Sequence, residues 1–315
     1  MTVRKAVVFL IGPTASGKTD VVLRLAGRLP LEVISCDSMQ VYRSMPVLSQ
    51  APDPSVLRRV RHHLVACLSP REEYSAAAFV DRARSLIAKI GKRKRVPFVV
   101  GGTGLYVNAL LDGIFRGPGS SAVLRRLFEE RAGRNGVTDL YEELKQSDPA
   151  VAGRIHPHDK RRIVRALEVI TLTKKPLSGL KLERRGIWDE GPVFIYGILR
   201  DRRDLYQSID RRVDAMVRRG LFREAESVIA MGPSKTAAAC LGIKETQAVM
   251  EGRMSPPEAV EALKRHTRNF AKRQICWFKR DSRIRWIPSP PGIKAEDIAG
   301  EIEKDLWKRL SLSPS

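Results

Sequence analysis

The sequence predicts an α/β fold, a three-layer core around a parallel sheet that is interrupted by a helical insertion. Short apolar runs rich in β-branched residues alternate with amphipathic segments, and a glycine-rich loop follows the first run. Such alternation indicates buried parallel strands with helices on both faces of the sheet. The stretch at residues 113–191 is helical in pattern and is predicted to be the insertion, leaving 1–112 and 192–315 for the core.

Four apolar runs are the candidate strands of the core. They are "AVVFLI" (6–11), "LEVIS" (31–35), "VPFVV" (96–100) and "VFIYGIL" (193–199), of which the second is the weakest. Between them lie segments with the helical period, such as "AAAFVDRARSLIAKI". Each run is long enough for one buried strand and too short to span a bilayer.

The predicted insertion contains helical patterns and no convincing strand. Its three clearest segments are "AVLRRLFEERA", "TDLYEELKQSD" and "HDKRRIVRALEVITLT". Glycine and proline residues mark both ends of the stretch and favour loops there. In the third segment Asp159 is a candidate N-cap. Ile163, Leu167 and Ile170 share the helical face that we expect to be buried.

The glycine-rich loop after the first run has the spacing of a phosphate-binding loop and makes the core P-loop NTPase-like. The loop consists of Gly12, Pro13, Thr14, Ala15, Ser16, Gly17, Lys18 and Thr19. Its amides and the start of the following helix can surround phosphate oxygens. Lys18 can reach an outer phosphate, and the Thr19 hydroxyl can hold Mg²⁺. The motif leaves open whether the phosphates belong to a nucleotide or to another substrate.

The rest of the sequence lacks the second carboxylate that a nucleotide hydrolase or kinase usually carries after an apolar strand. The run "VPFVV" is followed by "GGTG", which contains Thr103, and the nearest alternative is Asp37 in "ISCDSMQVY". Because the ends of adjacent strands converge on a ligand crevice, Asp37 and Thr103 can both face the phosphate loop. Asp37 can equally be a helix N-cap together with Ser38.

The charge balance favours a polyanionic partner. The 315 residues include 57 Lys and Arg against 35 Asp and Glu, a formal net charge of +22. A field of this size suits a nucleic acid, although a solvated basic surface is the alternative.

A basic segment near the C-terminus, residues 264–285, gives this charge a candidate location. One helical face is predicted to be apolar and buried: Leu263, Phe270 and Trp277. Lys264, Arg268 and Lys272 would then lie elsewhere on the helix, in an arrangement that suits a nucleic-acid backbone. A solvated face is again the alternative.

Cysteine and histidine residues do not form a metal-binding pattern. The four cysteines lie far apart without a CxxC pair, which predicts reduced thiols and a cytoplasmic location. The pairs His62–His63 and His156–His158 lack further ligands at suitable spacing, so we interpret them as structural or capping residues.

Ten segments, taken together, resemble a known family. They are "GPTASGKT", "ISCDSMQVYRSM", "HHL", "EYSAAAF", "VGGTGLYV", "HDKRRIVRALEV", "KPLS", "RRVDAM", "GL" and "AKRQICWF". They resemble, in this order, the motifs of the tRNA dimethylallyltransferases, and the resemblance covers residues 7–278. It implies transfer of a dimethylallyl group from dimethylallyl diphosphate to N6 of adenosine 37, in the anticodon stem-loop of tRNA. The loop would then hold a diphosphate leaving group.

The resemblance also implies roles for individual residues. Asp37 matches the family's general base, Thr103 a threonine at the reacting centre, and Lys18 the lysine of the diphosphate loop, with Mg²⁺ on Thr19. Arg212, in "RRVDAM", is a weaker diphosphate candidate. The positions matching the family's tRNA contacts are Asp37, Ser38, Met39, Gln40, Thr103, Lys160, Arg161, Arg162, Ile163, Val164 and Arg165. Arg165 can alternatively pair with Glu168 and serve the fold of the insertion.

The chain departs from the family pattern at "LSQAP" (48–52), at Ser208, at Ile243 and at "LTKKPLS". None of these positions is a proposed catalytic residue. Two other functions fit the phosphate loop: a small-molecule kinase with a helical lid, and a non-catalytic RNA-binding protein that uses the loop as a nucleotide switch. We expect a monomer without a membrane partner.

Overall fold

The computed structural model describes residues 6–115, 117–119, 121–180 and 185–312. Its strands are β1 (Val7–Ile11), β2 (Leu31–Cys36), β3 (His62–His63), β4 (Val96–Gly101), β5 (Val193–Arg200) and β6 (Arg285–Ser289). The helices before residue 112 are α1 (Lys18–Ala26), α2 (Pro54–Arg59), α3 (Ala76–Lys92) and α4 (Gly104–Leu111). Within the described ranges, no helix is both long enough and apolar enough to cross a membrane.

The remaining helices fall into a central and a C-terminal group. The central helices are α5 (Ala122–Asn135), α6 (Val137–Ser147), α7 (Pro149–Ala152), α8 (Lys160–Thr173) and α9 (Leu177–Leu180). The C-terminal helices are α10 (Arg202–Arg218), α11 (Leu221–Ala230), α12 (Ile243–Met250), α13 (Pro256–Phe278) and α14 (Ala295–Leu312), with a short 3₁₀ helix at Ala237–Ala239.

The six strands form one parallel sheet in the order β3-β2-β4-β1-β5-β6. The predicted α/β class and all four predicted strands are confirmed. The two edge strands, β3 and β6, were not predicted. β3 has only two residues, and β6 contains Pro288, so neither has the apolar run by which a buried strand is recognised.

Helices cover both faces of the central strands, as buried parallel strands require. All five residues of β1 are buried. Val8 and Leu10 pack on one face in a cluster with residues of α1 and α14, such as Leu25 and Ile302. Phe9 alternates with them and points to the opposite face.

Glu32 is the one acidic residue buried within β2, and its partners explain one histidine pair. Arg93 donates to both carboxylate oxygens, and His63 Nε2 lies 2.6 Å from Glu32 Oε2. Burial alone would raise the pKa of Glu32, but the hydrogen bonds from Arg93 and His63 outweigh it and bring the pKa to about 2. The structural interpretation of His63 is therefore confirmed.

The described chain divides into two compact units, one formed by Met1–Leu111 with Ile187–Ser315 and the other by Asp112–Gly186. The second unit contains α5–α9 and, among its described residues, no strand. Asp159 caps α8 by accepting from Arg162 N, as predicted. Ile163 and Leu167 are buried in the core of this unit, and Ile170 packs against it.

Candidate active site

Three loops meet at the carboxyl edge of the sheet. Ile11 of β1 and Cys36 of β2 both pair with Gly101 of β4, so these adjacent strands end in the same register. The phosphate loop, Asp37 and Thr103 follow these strand ends. The topology thus brings together residues that lie far apart in the sequence, at the edge where open α/β sheets bind ligands.

The phosphate loop has the backbone conformation of an anion cradle. Ala15 and Gly17 have φ values of 61° and 88°. Left-handed residues of this kind are typical of loops that direct backbone amides toward an anion. Gly17 then begins α1, whose first amides carry partial positive charge. At Gly12 a Cβ would lie 3.0 Å from Ser16 Oγ and 3.2 Å from Ile198 O, so the close turn favours glycine. The loop is shaped to hold phosphate oxygens.

Lys18 lies folded against the loop that contains it. Its Nζ donates to Gly12 O at 2.9 Å and to Pro13 O at 2.7 Å. Burial, together with the positive charge of Arg212, lowers the pKa of Lys18 to about 7, although the Asp37 carboxylate acts in the opposite direction. A bound polyanion would reverse this balance and favour the charged ammonium.

Asp37 uses one carboxylate oxygen for the local turn and leaves the other available. Its Oδ1 accepts from Met39 N at 2.8 Å and from Gln40 N at 3.3 Å. Within the described ranges, Oδ2 has no hydrogen-bond partner. Burial raises the pKa of Asp37, partly opposed by these amides and by the charges of Lys18 and Arg212. Asp37 therefore caps a turn and also has the environment of a proton acceptor.

Thr103 lies directly beside Asp37. Its Oγ1 accepts from Ser38 N at 3.2 Å, and its own amide donates to Cys36 O at 3.3 Å. The hydroxyl oxygen is thus fixed on the amide that follows Asp37, while its proton stays free to donate. The two candidate catalytic side chains are held by one short network between the ends of β2 and β4.

Arg212 extends from α10 toward the same charges. Burial lowers the pKa of Arg212, and the carboxylates of Asp37 and Asp20 oppose this only in part. In the part of the chain that the structure describes, the guanidinium forms no ion pair or hydrogen bond. Lys18 and Arg212 are therefore two cations beside one carboxylate, which suits a ligand with several negative charges.

Two residues in contact with the phosphate loop were missed in the sequence. Arg200, at the end of β5, donates to Ala15 O at 2.8 Å and pairs with Asp204. Gln274, on α13, accepts from Thr14 N at 2.9 Å. Gln274 lies in the motif "AKRQICWF" and Arg200 directly follows the run "VFIYGIL", but their contacts depend on side-chain direction.

In the basic segment near the C-terminus, two of the three cations predicted to face a nucleic acid are paired within the fold. Lys264 pairs with Asp214 and Arg268 with Asp210, both on α10, so these cations join two helices. Lys272 alone of the three is exposed. The predicted apolar face is also only partly right, since Phe270 and Trp277 are half-buried. The buried face of α13 is Ala259, Ala262, Leu263, Thr267, Ala271, Gln274 and Phe278.

The histidines of the second unit form a local turn. His156 Nδ1 lies 3.2 Å from the His158 amide, which donates to it. Across the described residues, no group of three or more His, Cys, Asp or Glu side chains is arranged to hold a metal ion.

The predicted tRNA-contacting residues of α8 differ in exposure. Lys160, Arg161 and Arg162 are exposed, whereas the side chains of Ile163 and Val164 are buried in the core of the second unit. The latter two can therefore support the helix but offer no exposed side chain to RNA.

Arg165 has partners within its own unit. Its guanidinium donates to Glu168 Oε2 at 2.6 Å and to Pro118 O at 3.0 Å. Glu168 is fully buried and also accepts from Arg125 and from Ser121 N. Arg165 thus serves the fold of this unit, as the alternative interpretation proposed.

We expect Arg165→Ala to lower the free energy of unfolding by about 1–3 kcal/mol, because the buried Glu168 carboxylate loses a charged donor. Arg161→Ala should change the same quantity by less than about 0.5 kcal/mol, since that side chain is exposed. Urea denaturation of both variants checks the difference. Equal stabilities would show that Arg125 and the Ser121 amide satisfy Glu168 without Arg165.

The sequence of the chain matches family models and curated relatives over most of its length. The family model described as IPP transferase matches residues 40–281, and a second, isopentenyl transferase, matches residues 5–69. The tRNA dimethylallyltransferase of Geobacter sulfurreducens is 40% identical over 285 residues, which cover 90% of this chain and 92% of the relative. That of Desulforudis audaxviator is 40% identical over 315 residues, covering 97% and 100%.

Solved structures agree with these relatives. The tRNA isopentenylpyrophosphate transferase from Bacillus halodurans superimposes with a TM-score of 0.71 at 36% identity, covering 98% of this chain and 99% of that one. A eukaryotic dimethylallyltransferase acting on tRNA gives a TM-score of 0.81 at 24% identity, covering 97% and 80%. The second likeness concerns the fold alone.

Proposed function

The chain belongs to the IPP transferase family, and from this premise we propose that it prenylates tRNA. The reaction transfers a dimethylallyl group from dimethylallyl diphosphate to N6 of adenosine 37, beside the anticodon, and releases diphosphate. The observation that carries the proposal is the meeting of Asp37 and Thr103 beside the phosphate loop. At the end of β4 the Thr103 hydroxyl stands where a nucleotide hydrolase would usually have a metal-binding carboxylate.

The proposed role of the loop is to stabilise the leaving group. As the C–O bond of the allylic diphosphate breaks, its electron pair goes to the diphosphate oxygens, and carbocation-like charge develops on the allylic carbon. The inward amides and the Lys18 ammonium are suited to these oxygens, since donors placed where charge develops lower the barrier. Arg212 adds a second cation whose charge is not neutralised by a direct ion pair among the described residues.

The proposed role of Asp37 is proton removal. The adenine amine is a weak nucleophile, and forming the C–N bond makes its remaining protons acidic. Asp37 Oδ2 accepts one of them, while Oδ1 keeps its bonds to the Met39 and Gln40 amides. Thr103 Oγ1 is held beside the base and can donate to the substrate. The target base must leave its stack to reach these groups.

Mg²⁺ fits the residues at the start of α1. Thr19 is exposed there, within the described ranges its hydroxyl has no hydrogen-bond partner, and Asp20 is its neighbour. Mg²⁺ prefers oxygen ligands and usually shares them with phosphate groups. We propose that Thr19 holds the ion, which would neutralise charge on the departing diphosphate.

The test is a comparison of donors. We expect N6-dimethylallyladenosine in nucleosides from treated tRNA, detected by mass spectrometry, only when dimethylallyl diphosphate and Mg²⁺ are both present. ATP in place of the prenyl donor should give neither this nucleoside nor a phosphorylated product. ATP-dependent phosphorylation of a small substrate would instead indicate a kinase. Nucleotide-dependent RNA binding without any product would indicate a switch protein.

The exposed cations of α8 should act on RNA binding and not on the prenyl donor. We expect replacement of Lys160, Arg161 and Arg162 by alanine to reduce the slope of log affinity for tRNA against log salt. The loss is roughly one unit for each phosphate contact removed. Filter binding at several salt concentrations measures the slope, and dimethylallyl diphosphate should bind as before.

A matched control removes three exposed cations elsewhere, Arg58, Lys89 and Lys92, by the same substitution. Both variants lose the same net charge, so a general field effect would change both slopes equally. If the α8 variant keeps the wild-type slope, this helix is not part of the RNA-binding surface.

We further propose that the protein binds the anticodon stem-loop and acts as a monomer in the cytoplasm. All four cysteines are free thiols, which supports a reducing compartment. They are Cys36, Cys67, Cys240 and Cys276. Gel filtration of the protein with and without an anticodon stem-loop RNA tests both the stoichiometry and the partner.

A further inference from the structure

Gln274 links two of the three loops of the candidate active site. Its side chain is only 8% exposed although it carries an amide, so its polar atoms need partners within the fold. Oε1 accepts from Thr14 N at 2.9 Å, and Nε2 donates to Gly102 O at 2.9 Å. One side chain of α13 thus satisfies one backbone group in the phosphate loop and one in the loop after β4.

The loop after β4 is shaped around this helix. A Cβ on Gly102 would lie 2.3 Å from Gln274 Nε2, and a Cβ on Gly104 would lie 2.4 Å from Cδ1 of Trp277. A larger residue at either position would displace the side chain of Gln274 or Trp277 from its place. The glycines on both sides of Thr103 therefore allow α13 to lie directly on the loop.

These contacts continue to the candidate catalytic groups. Gly102 precedes Thr103, whose Oγ1 accepts from the amide that follows Asp37. A continuous path of hydrogen bonds and covalent bonds therefore runs from Thr14 through Gln274 and Thr103 to Asp37. The same path directs the Thr14 amide toward α13, so this amide is not available to a ligand.

We propose that Gln274 is a positioning residue, which sets the distance between the phosphate loop and the Thr103–Asp37 pair. This inference rests on the proposed function, because the diphosphate and the adenine amine are the two ligands whose separation it fixes. A shift of about 1 Å between reacting groups can reduce the rate of a reaction by roughly 10²-fold. The Oε1 and Nε2 atoms of Gln274 are each bonded to a backbone group, which is the geometry of a positioning role.

Two substitutions distinguish positioning from simple packing. Gln274→Met keeps the length of the side chain but removes both hydrogen bonds. Gln274→Glu keeps an acceptor for Thr14 N, but its ionised carboxylate would face the Gly102 carbonyl. We expect both to lower kcat by roughly 10–10²-fold with little change in the KM for tRNA.

The pH profile gives a further readout. The protonated carboxyl in Gln274→Glu can donate to Gly102 O, and burial favours that form. The ratio of its kcat to that of the wild type should therefore rise as the pH is lowered, whereas the ratio for Gln274→Met should stay constant. A loss caused only by a weaker helix would show no such dependence on pH.

Thr267→Val is the matched control on the same helix. Thr267 is buried, and its hydroxyl donates to Leu263 O without reaching either loop. It should alter the melting temperature but leave kcat unchanged. Wild-type kcat in both Gln274 variants, or a loss of kcat in Thr267→Val that tracks its melting temperature in the same way, would overturn the inference.

Hydrogen exchange separates this inference from the proposed function. We expect the Thr14 amide to exchange faster in Gln274→Met than in the wild type, while the Thr267→Val protein keeps it protected. Unchanged protection of this amide would overturn the link. If the wild-type protein forms no prenylated nucleoside, the proposed function fails, and this measurement still decides whether Gln274 holds the loop.

Discussion

We expect Asp37→Asn to lower kcat for prenyl transfer by roughly 10²–10⁴-fold, the range lost with a positioned general base. Asparagine keeps an oxygen that can accept from the Met39 and Gln40 amides, so the turn should persist. It cannot accept the proton that leaves the adenine amine. Single-turnover rates measured together with melting curves check both expectations.

The alternative role of Asp37, a cap without catalytic function, predicts different results. Asp37→Ala would then cost about 1 kcal/mol of stability and leave turnover nearly unchanged. The pH profile discriminates further, because the raised pKa of Asp37 in the free protein should move the acidic limb of kcat/KM above the range of an ordinary aspartate. Wild-type rates in both variants would exclude Asp37 as the base.

We expect Lys18→Met to lower kcat by roughly 10²–10³-fold, as loss of one donor to a developing anion does. The substitution removes the ammonium that would neutralise the departing diphosphate and keeps most of the apolar stem. Arg24→Met, in the last turn of the same helix, removes an exposed cation paired with Glu296 and serves as the control. A rate for Lys18→Met equal to that of the control would contradict the proposed role.

The lowered pKa of Lys18 also predicts how stability depends on pH. In the folded protein this pKa is about 7, against an ordinary value of 10.5 in the unfolded chain. Between these values the unfolded chain binds more protons, so stability rises with pH across this window. The rise should be smaller in Lys18→Met, as urea denaturation at a series of pH values would show. Added diphosphate should reduce it in the wild type, because the anion favours the charged ammonium.

The central strands could be predicted because they depend on local sequence, and the meeting point of the candidate residues could be predicted from the expected parallel sheet. The run at β1 is apolar at every position and leads directly into the glycine-rich loop. Asp37 and Thr103 could be placed together because parallel strands end at one edge of a sheet. The edge strands β3 and β6 could not be predicted, since hydrogen bonds to a neighbouring strand define them more than their own residues do.

The partners of charged and polar side chains could not be predicted, because they depend on how helices pack. Seven-residue spacing on α13 suggested that Lys264 and Arg268 face solvent or RNA. The packing of α13 against α10 instead places both beside aspartates. Gln274 shows the same limit, since its sequence position gave no sign that its amide reaches Thr14 and Gly102.

The long-range contact of Gln274 has a consequence for the order in which the protein is made. Gln274 and its partner in the phosphate loop, Thr14, are separated by 260 positions along the chain. A ribosome releases β1 and its loop well before it releases α13. Closing a loop of this length also costs more entropy than forming a local contact. The nascent chain therefore carries the complete phosphate-binding motif long before that motif reaches its final geometry.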